Sequence, residues 1–167
     1  MKSLGKVVLV AMLLAAAAGL LVLPQFAASP HQQMQGMDHN AQAADEPTPA
    51  FHAKPPQDAL PPTMDASLFS EIPTSNAYAV AGRIKKVLYQ EPCYCHCDRS
   101  QGHGSLLDCY VTRHATGCEI CQKEAFYSYE QTHKGKSPAQ IREGIMRGDW
   151  QNVDIAKYAN GRLPAGK

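Results

Sequence analysis

The sequence predicts an all-α fold, a small cysteine-rich domain of about three to four helices behind a disordered Pro-rich tether. Three observations predict it. Beyond position 75 the apolar residues recur at helical spacing, and no run alternates as a half-buried strand would. Before position 75 prolines crowd, with eight of the 12 between Pro30 and Pro73. All six cysteines fall between Cys93 and Cys121, so whatever chemistry the chain performs is expected there.

From the start of the chain, Lys2 and Lys6 precede an uncharged apolar run from Val7 to Leu23, closed by Pro24 and the small residues Ala27, Ala28 and Ser29. That order is the order of a secretory signal, so residues 1–28 are read as a signal peptide or, if uncleaved, an N-terminal membrane anchor. Either way the body is expected outside the cytoplasm, in a periplasm or cell envelope that permits disulfides. Residues 29–74 are rich in Pro, Gln and Ala and carry six acids against one lysine. They lack the apolar periodicity that would offset ordering entropy and are read as linker. Within them, His31, Met34, Met37 and His39 offer two imidazoles and two thioethers, a donor pair that suits copper in either oxidation state.

Residues 75–160 are the expected folded domain. Ser75 is a candidate N-cap for a helix to about Gln90, in which Ala77, Val80, Ala81, Ile84, Val87 and Leu88 form one apolar stripe. Pro92 ends it. Asp98 to Gly104 is polar and holds two glycines, which reads as a loop. A short helix from Leu106 to Val111 would carry Cys109 inward, and a longer one is expected from Cys118 to Lys134. Ser137-Pro138-Ala139-Gln140 combines an N-cap, a first-turn proline and a capping-box glutamine, with the helix running to Arg147 and Gly148 as its stop. Phe126, Tyr127, Tyr129 and Trp150 are expected in the core, Glu124 and Glu130 on the helix surface, and His133 at a dipole-friendly helix end.

The cysteines stand as Cys93-Tyr94-Cys95-His96-Cys97, Cys109 and Cys118-Glu119-Ile120-Cys121, with His96, His103 and His114 nearby. Residue 122 is Gln, so the pattern for covalent haem attachment fails. A Cys-x-x-Cys pair at a helix start suits thiol–disulfide exchange, but the strand that precedes it in thioredoxin-like folds is missing. Three disulfides stapling a small exported domain fit the even count, although neighbours two residues apart are awkward to bridge directly. A thiolate metal site fits best. Soft thiolates with imidazole select Cu(I) or Zn(II). One zinc would use four ligands, for example Cys95, Cys97, Cys118 and Cys121. Six thiols exceed one tetrahedral ion, which points to several Cu(I), or to one zinc with a disulfide. The candidate ligands are therefore Cys93, Cys95, Cys97, Cys109, Cys118, Cys121, His96, His103 and His114.

Pro92-Cys93-Tyr94-Cys95-His96-Cys97 resembles the signature of the bacterial PCYCGC-motif family of exported proteins. The similarity continues through Cys97-Asp98-Arg99, Gly102-His103, Ser105 to Cys109, Cys118 to Cys121 and Gly135 to Trp150. The resemblance implies a bacterial envelope protein and brings no activity with it. The motif's fifth residue is glycine and here it is His96. If that position needs a positive φ, His96 strains the loop; if it does not, His96 adds a ligand.

A formal net charge of +1 argues against recognition of nucleic acid by bulk basicity. No catalytic triad, metalloprotease motif, phosphate-binding glycine loop or paired catalytic carboxylates occurs, so no enzyme is expected. The expectation is an exported protein that binds a soft metal ion, copper before zinc, for capture, delivery or storage. Its partners would be the metal ion and another envelope metal-handling protein, with membrane contact only through residues 7–23 if they are retained. The rivals are a disulfide-stapled interaction module and a thiol–disulfide redox protein.

Overall fold

A computed structural model describes residues 47–164. Six α-helices and four 3-10 turns make up the regular structure, and no strand occurs among the described residues. The helices are α1 (Ile72–Arg83), α2 (Lys85–Leu88), α3 (Cys97–Gln101), α4 (Asp108–Val111), α5 (Glu119–His133) and α6 (Pro138–Met146). The fold is therefore helical, as the spacing of apolar residues implies. None of these helices is long and apolar enough to cross a membrane. The expected signal at 1–28 and the His31–His39 cluster lie outside the described residues.

The centre of the domain is α1 packed against α5. Every residue of α1 from Thr74 to Ala81 is buried, including Thr74, Ser75 and Asn76. A helix buried on all sides must satisfy its polar side chains internally. The Ser75 hydroxyl donates to the Ala66 carbonyl at 2.8 Å, and the Asn76 amide donates to the Tyr158 and Gly161 carbonyls at 2.7 Å each. Ser75 is thus a buried partner inside the helix and not its N-cap. Glu71 stands at the N-cap position and Pro73 in the first turn, where its missing N–H costs no hydrogen bond. The single helix expected to Gln90 is interrupted at Ile84 (φ −116°, ψ 29°), two residues after Gly82. Helix breaks concentrate at residues such as glycine that hold the helical conformation weakly.

Two extended segments close over this centre. Although the composition of 29–74 reads as linker, residues from 47 onward run along the helices. His52 stacks on Tyr89 with ring centroids 3.9 Å apart, and the Met64 N–H donates to the Tyr110 carbonyl at 2.9 Å. Phe69, fully buried, stacks on Tyr78 at 4.0 Å. These apolar residues dock one at a time between prolines, so no periodicity announces them. At the other end, the Leu163 N–H donates to Asn76 Oδ1 at 2.6 Å, and Arg162 reaches Ser75 Oγ at 2.6 Å and the Phe69 carbonyl at 2.9 Å. Tyr158 stacks on Phe126 at 3.6 Å.

α6 begins with the expected capping box, Ser137 Oγ accepting from the Gln140 N–H and Gln140 accepting from the Ser137 N–H. It packs on α5, and Trp150 is buried in the 3-10 turn Asp149–Asn152 that follows Gly148 (φ 81°). Arg142 lies over the Phe51 ring, 4.7 Å from its centroid.

Candidate metal centre

The cysteine-bearing segments meet where α5 begins. Tyr94 and Cys95 form a turn closed by the His96 N–H, which donates to the Cys93 carbonyl at 3.1 Å. Cys93 and Cys95 bring their sulfurs to 3.3 Å. The chain then reverses through His96, whose φ of 56° makes it the one non-glycine residue with positive φ among those described. That reversal starts α3, in which Cys97 is the buried residue, and its Sγ lies 3.4 Å from Cys109 Sγ on α4. The stretch expected as a loop, Asp98 to Gly104, is thus helical as far as Gln101. Cys97 is its one buried residue and the others are half-buried or exposed, which leaves no apolar stripe to read.

α5 supplies the opposite wall. Cys118 caps it, its sulfur accepting from the Cys121 N–H at 3.4 Å, and the two sulfurs are 2.9 Å apart. Cys121 Sγ is 3.5 Å from both Cys93 Sγ and Cys95 Sγ. Cys93, Cys95 and Cys121 therefore form a near-equilateral triangle of sulfurs. These three sulfurs would hold a soft metal ion together with a fourth donor from the cluster. All six cysteines are free thiols; Cys93, Cys97, Cys109 and Cys121 are buried and Cys95 and Cys118 half-buried.

Two of the three expected histidines join them. His114 Nε2 is 3.5 Å from Cys95 Sγ and His103 Nδ1 is 3.4 Å from Cys109 Sγ, with the two rings edge to face at 5.1 Å. Two four-donor groups have all their ligand atoms within 4.8 Å of one another: Cys93, Cys95, Cys97 and Cys109, and Cys95, Cys109, Cys121 and His114. The first differs from the set Cys95, Cys97, Cys118 and Cys121 suggested by spacing, because α3 turns Cys97 toward Cys109 and away from Cys118. His96 belongs to neither group; its ring lies edge to face with Tyr94 at 5.9 Å. The positive φ makes position 96 a conformational site, which is the reading in which a side chain there strains the loop.

The cluster divides its protons unevenly. Hydrogen bonds from Cys109, Cys118, Cys121 and Cys93 push the Cys95 thiol far below the usual range. Cys109 is lowered to about 4 by Cys121 and Cys93. Cys93 and Cys121, as donors in this network, are pushed well up. The network thus lowers Cys95 and Cys109 toward the thiolate, the form that binds metal.

A buried carboxyl stands behind the thiols. Glu124, expected on the helix surface, is fully buried, and its Oε1 accepts from the Tyr94 N–H at 2.8 Å. Burial pushes its carboxyl well above the usual range, opposed by hydrogen bonds from Cys93 and the Tyr94 N–H. Its spacing to Cys121, three residues along the same helix, is the signal that places it on the site's face. Glu130 does lie near the surface, accepting from Tyr158 Oη at 2.9 Å. A cleft of about 540 Å³, lined in part by His103, Asp108, Arg113 and His114, gives the two histidines access to solvent.

A helical domain whose cysteines and histidines converge at one point defines a cysteine-rich protein with a cluster able to hold a metal ion. The family model described as a protein of unknown function with PCYCGC motif matches residues 20–151, and the chain belongs to that family. No curated protein and no solved structure gives a significant match.

Proposed function

We propose that this is an exported, non-enzymatic protein that binds a soft metal ion, copper in preference to zinc, for capture, delivery or storage. One observation carries the reading: six free thiols from three segments converge, with neighbouring sulfurs 2.9–3.5 Å apart and two imidazoles alongside. Tetrahedral thiolates at about 2.3 Å from an ion are about 3.8 Å from each other, so the Cys93, Cys95 and Cys121 sulfurs, 3.3–3.5 Å apart, need to open by only a few tenths of an ångström. Soft thiolates with imidazole favour Cu(I) and Zn(II) over hard cations. The charged start and apolar run of residues 2–23 support export, and the exchange of metal with another envelope protein would use the histidine-lined cleft.

Anaerobic titration of reduced protein with Cu(I) against a chelator tests the reading. Tight binding that is lost on changing Cys93, Cys95 and Cys97 to Ser is the expected result; affinity unchanged in that variant overturns it.

The 2.9 Å approach of Cys118 and Cys121 favours a second reading, in which thiols pair as disulfides and the domain is a stapled interaction module or exchanges thiols. Alkylation and mass spectrometry of protein taken directly from cells separate the two. Metal with free thiols supports the first, and no free thiols supports the second.

A further inference from the structure

The two donor groups are not independent sites. They share two sulfurs, Cys95 and Cys109, and differ in what completes them: Cys93 and Cys97 on one side, Cys121 and His114 on the other. Two tetrahedra with a common edge are the geometry of a bridged pair. We propose that the cluster holds two soft cations as a thiolate-bridged pair, with Cys95 and Cys109 shared between them. This rests on the metal-binding reading above and adds to it a number of ions, a bridge and a difference between the two positions.

A thiolate sulfur has more than one lone pair and can bind two soft cations at once. Bridging lets five thiols and one imidazole complete two four-coordinate ions, where separate ions would need eight donors. With metal–sulfur distances of about 2.3 Å and a common sulfur edge of about 3.8 Å, the ions lie about 2.7 Å apart. Each thiol that ligates gives its proton to solvent. The first ion has only sulfur donors, three of them buried. The second has His114, which lines the 540 Å³ cleft and is half-buried. The second position is therefore the one through which metal enters and leaves, with His103 beside it in the same cleft.

The test is Cu(I) titration of the reduced full chain under anaerobic conditions, with a competing chelator, followed by X-ray absorption of the loaded protein. Two copper ions per chain and a copper–copper distance shorter than about 3.5 Å are expected from the shared edge. Cys97→Ser and Cys121→Ser, one from each group, should each bind one ion and lose the copper–copper signal. Cys95→Ser should weaken both ions. His114→Ala, at a half-buried position, should leave the helical circular dichroism unchanged and weaken only one ion, by at least about tenfold, the loss seen even when an outer partner of a ligand is removed. Saturation at one ion, at more than two, or at two without a short copper–copper distance overturns the bridged pair while leaving metal binding in place. Absence of tight copper binding overturns the metal-binding reading itself, and the pair with it.

Discussion

His96 holds a left-handed conformation that costs an ordinary residue about 1–2 kcal/mol and glycine almost nothing. The family's motif has glycine at that place, so this chain keeps the turn while carrying a side chain the turn disfavours. His96→Gly is expected to raise stability by about 1 kcal/mol in urea denaturation. Because His96 is in neither donor group, copper stoichiometry should not change; a lost ion would make His96 a ligand. Glu91 is a second residue with a cost. It is fully buried, neither carboxyl oxygen has a hydrogen-bond partner among the described residues, and burial raises its pKa to about 8 against the pull of Arg142. The folded protein keeps a proton that the unfolded chain releases above about 4.5. The cost of burying its charge is therefore absent below pH 4.5, and stability falls as pH rises from there toward 8. In metal-free protein, Glu91→Gln should match the parent near pH 4.5 and gain on it by about 1.4 kcal/mol per pH unit up to pH 8, read from denaturation at several pH values. A constant difference across that range would show that Glu91 does not titrate this way.

Among the elements, the start of α6 was legible to the residue because its capping box and first-turn proline are local signals that need no partner, and its end falls one residue short of the expected Arg147. α5 was nearly so, since Cys118 and Lys134 bound it within one residue of Glu119–His133. α3 was not, because a helix with one buried residue leaves no stripe, and the turn that starts it depends on a backbone angle rather than a residue type. The same logic explains Glu124: carboxylates are rarely fully buried, and what overrides that here is a backbone N–H from the facing loop, a tertiary fact. The α5–α6 contact depends on Gly144. A Cβ there would overlap Tyr127 Oη and lie 2.8 Å from its Cζ. Gly144→Ala should destabilise the domain by about 1–3 kcal/mol, the usual range for an overpacked contact. Adding Tyr127→Phe should return part of the loss, because it deletes the atom most severely overlapped. If the double variant is no better than the single one, the close approach is not the cause.

At the scale of the molecule, the donors come from the 93–97 turn, α4, the 3-10 turn His114–Gly117 and the start of α5, so the cluster exists only when these are assembled. An ion that binds the folded chain and not the unfolded one stabilises it by about 2.7 kcal/mol at a hundredfold excess over its dissociation constant. Copper-loaded reduced protein should therefore melt several degrees above metal-free protein, and a strong chelator should reverse the shift. An unchanged melting temperature on loading would mean that the bound metal does not tie these segments together. The clustering of cysteines along the chain located the centre, while the division into donor groups depended on how α3 and α5 aim them.

The strap formed by Tyr158 to Leu163 bears on where this domain ends. The family match stops at residue 151, yet Asn76, in the middle of the central helix, has its amide and carbonyl partners at 158, 161 and 163. A chain cut at the family boundary would leave that buried amide without its partners and strip Tyr158 from Phe126. The unit of descent and the unit of folding thus have different edges, and the second reaches past the first by at least a dozen residues, from 151 to 163.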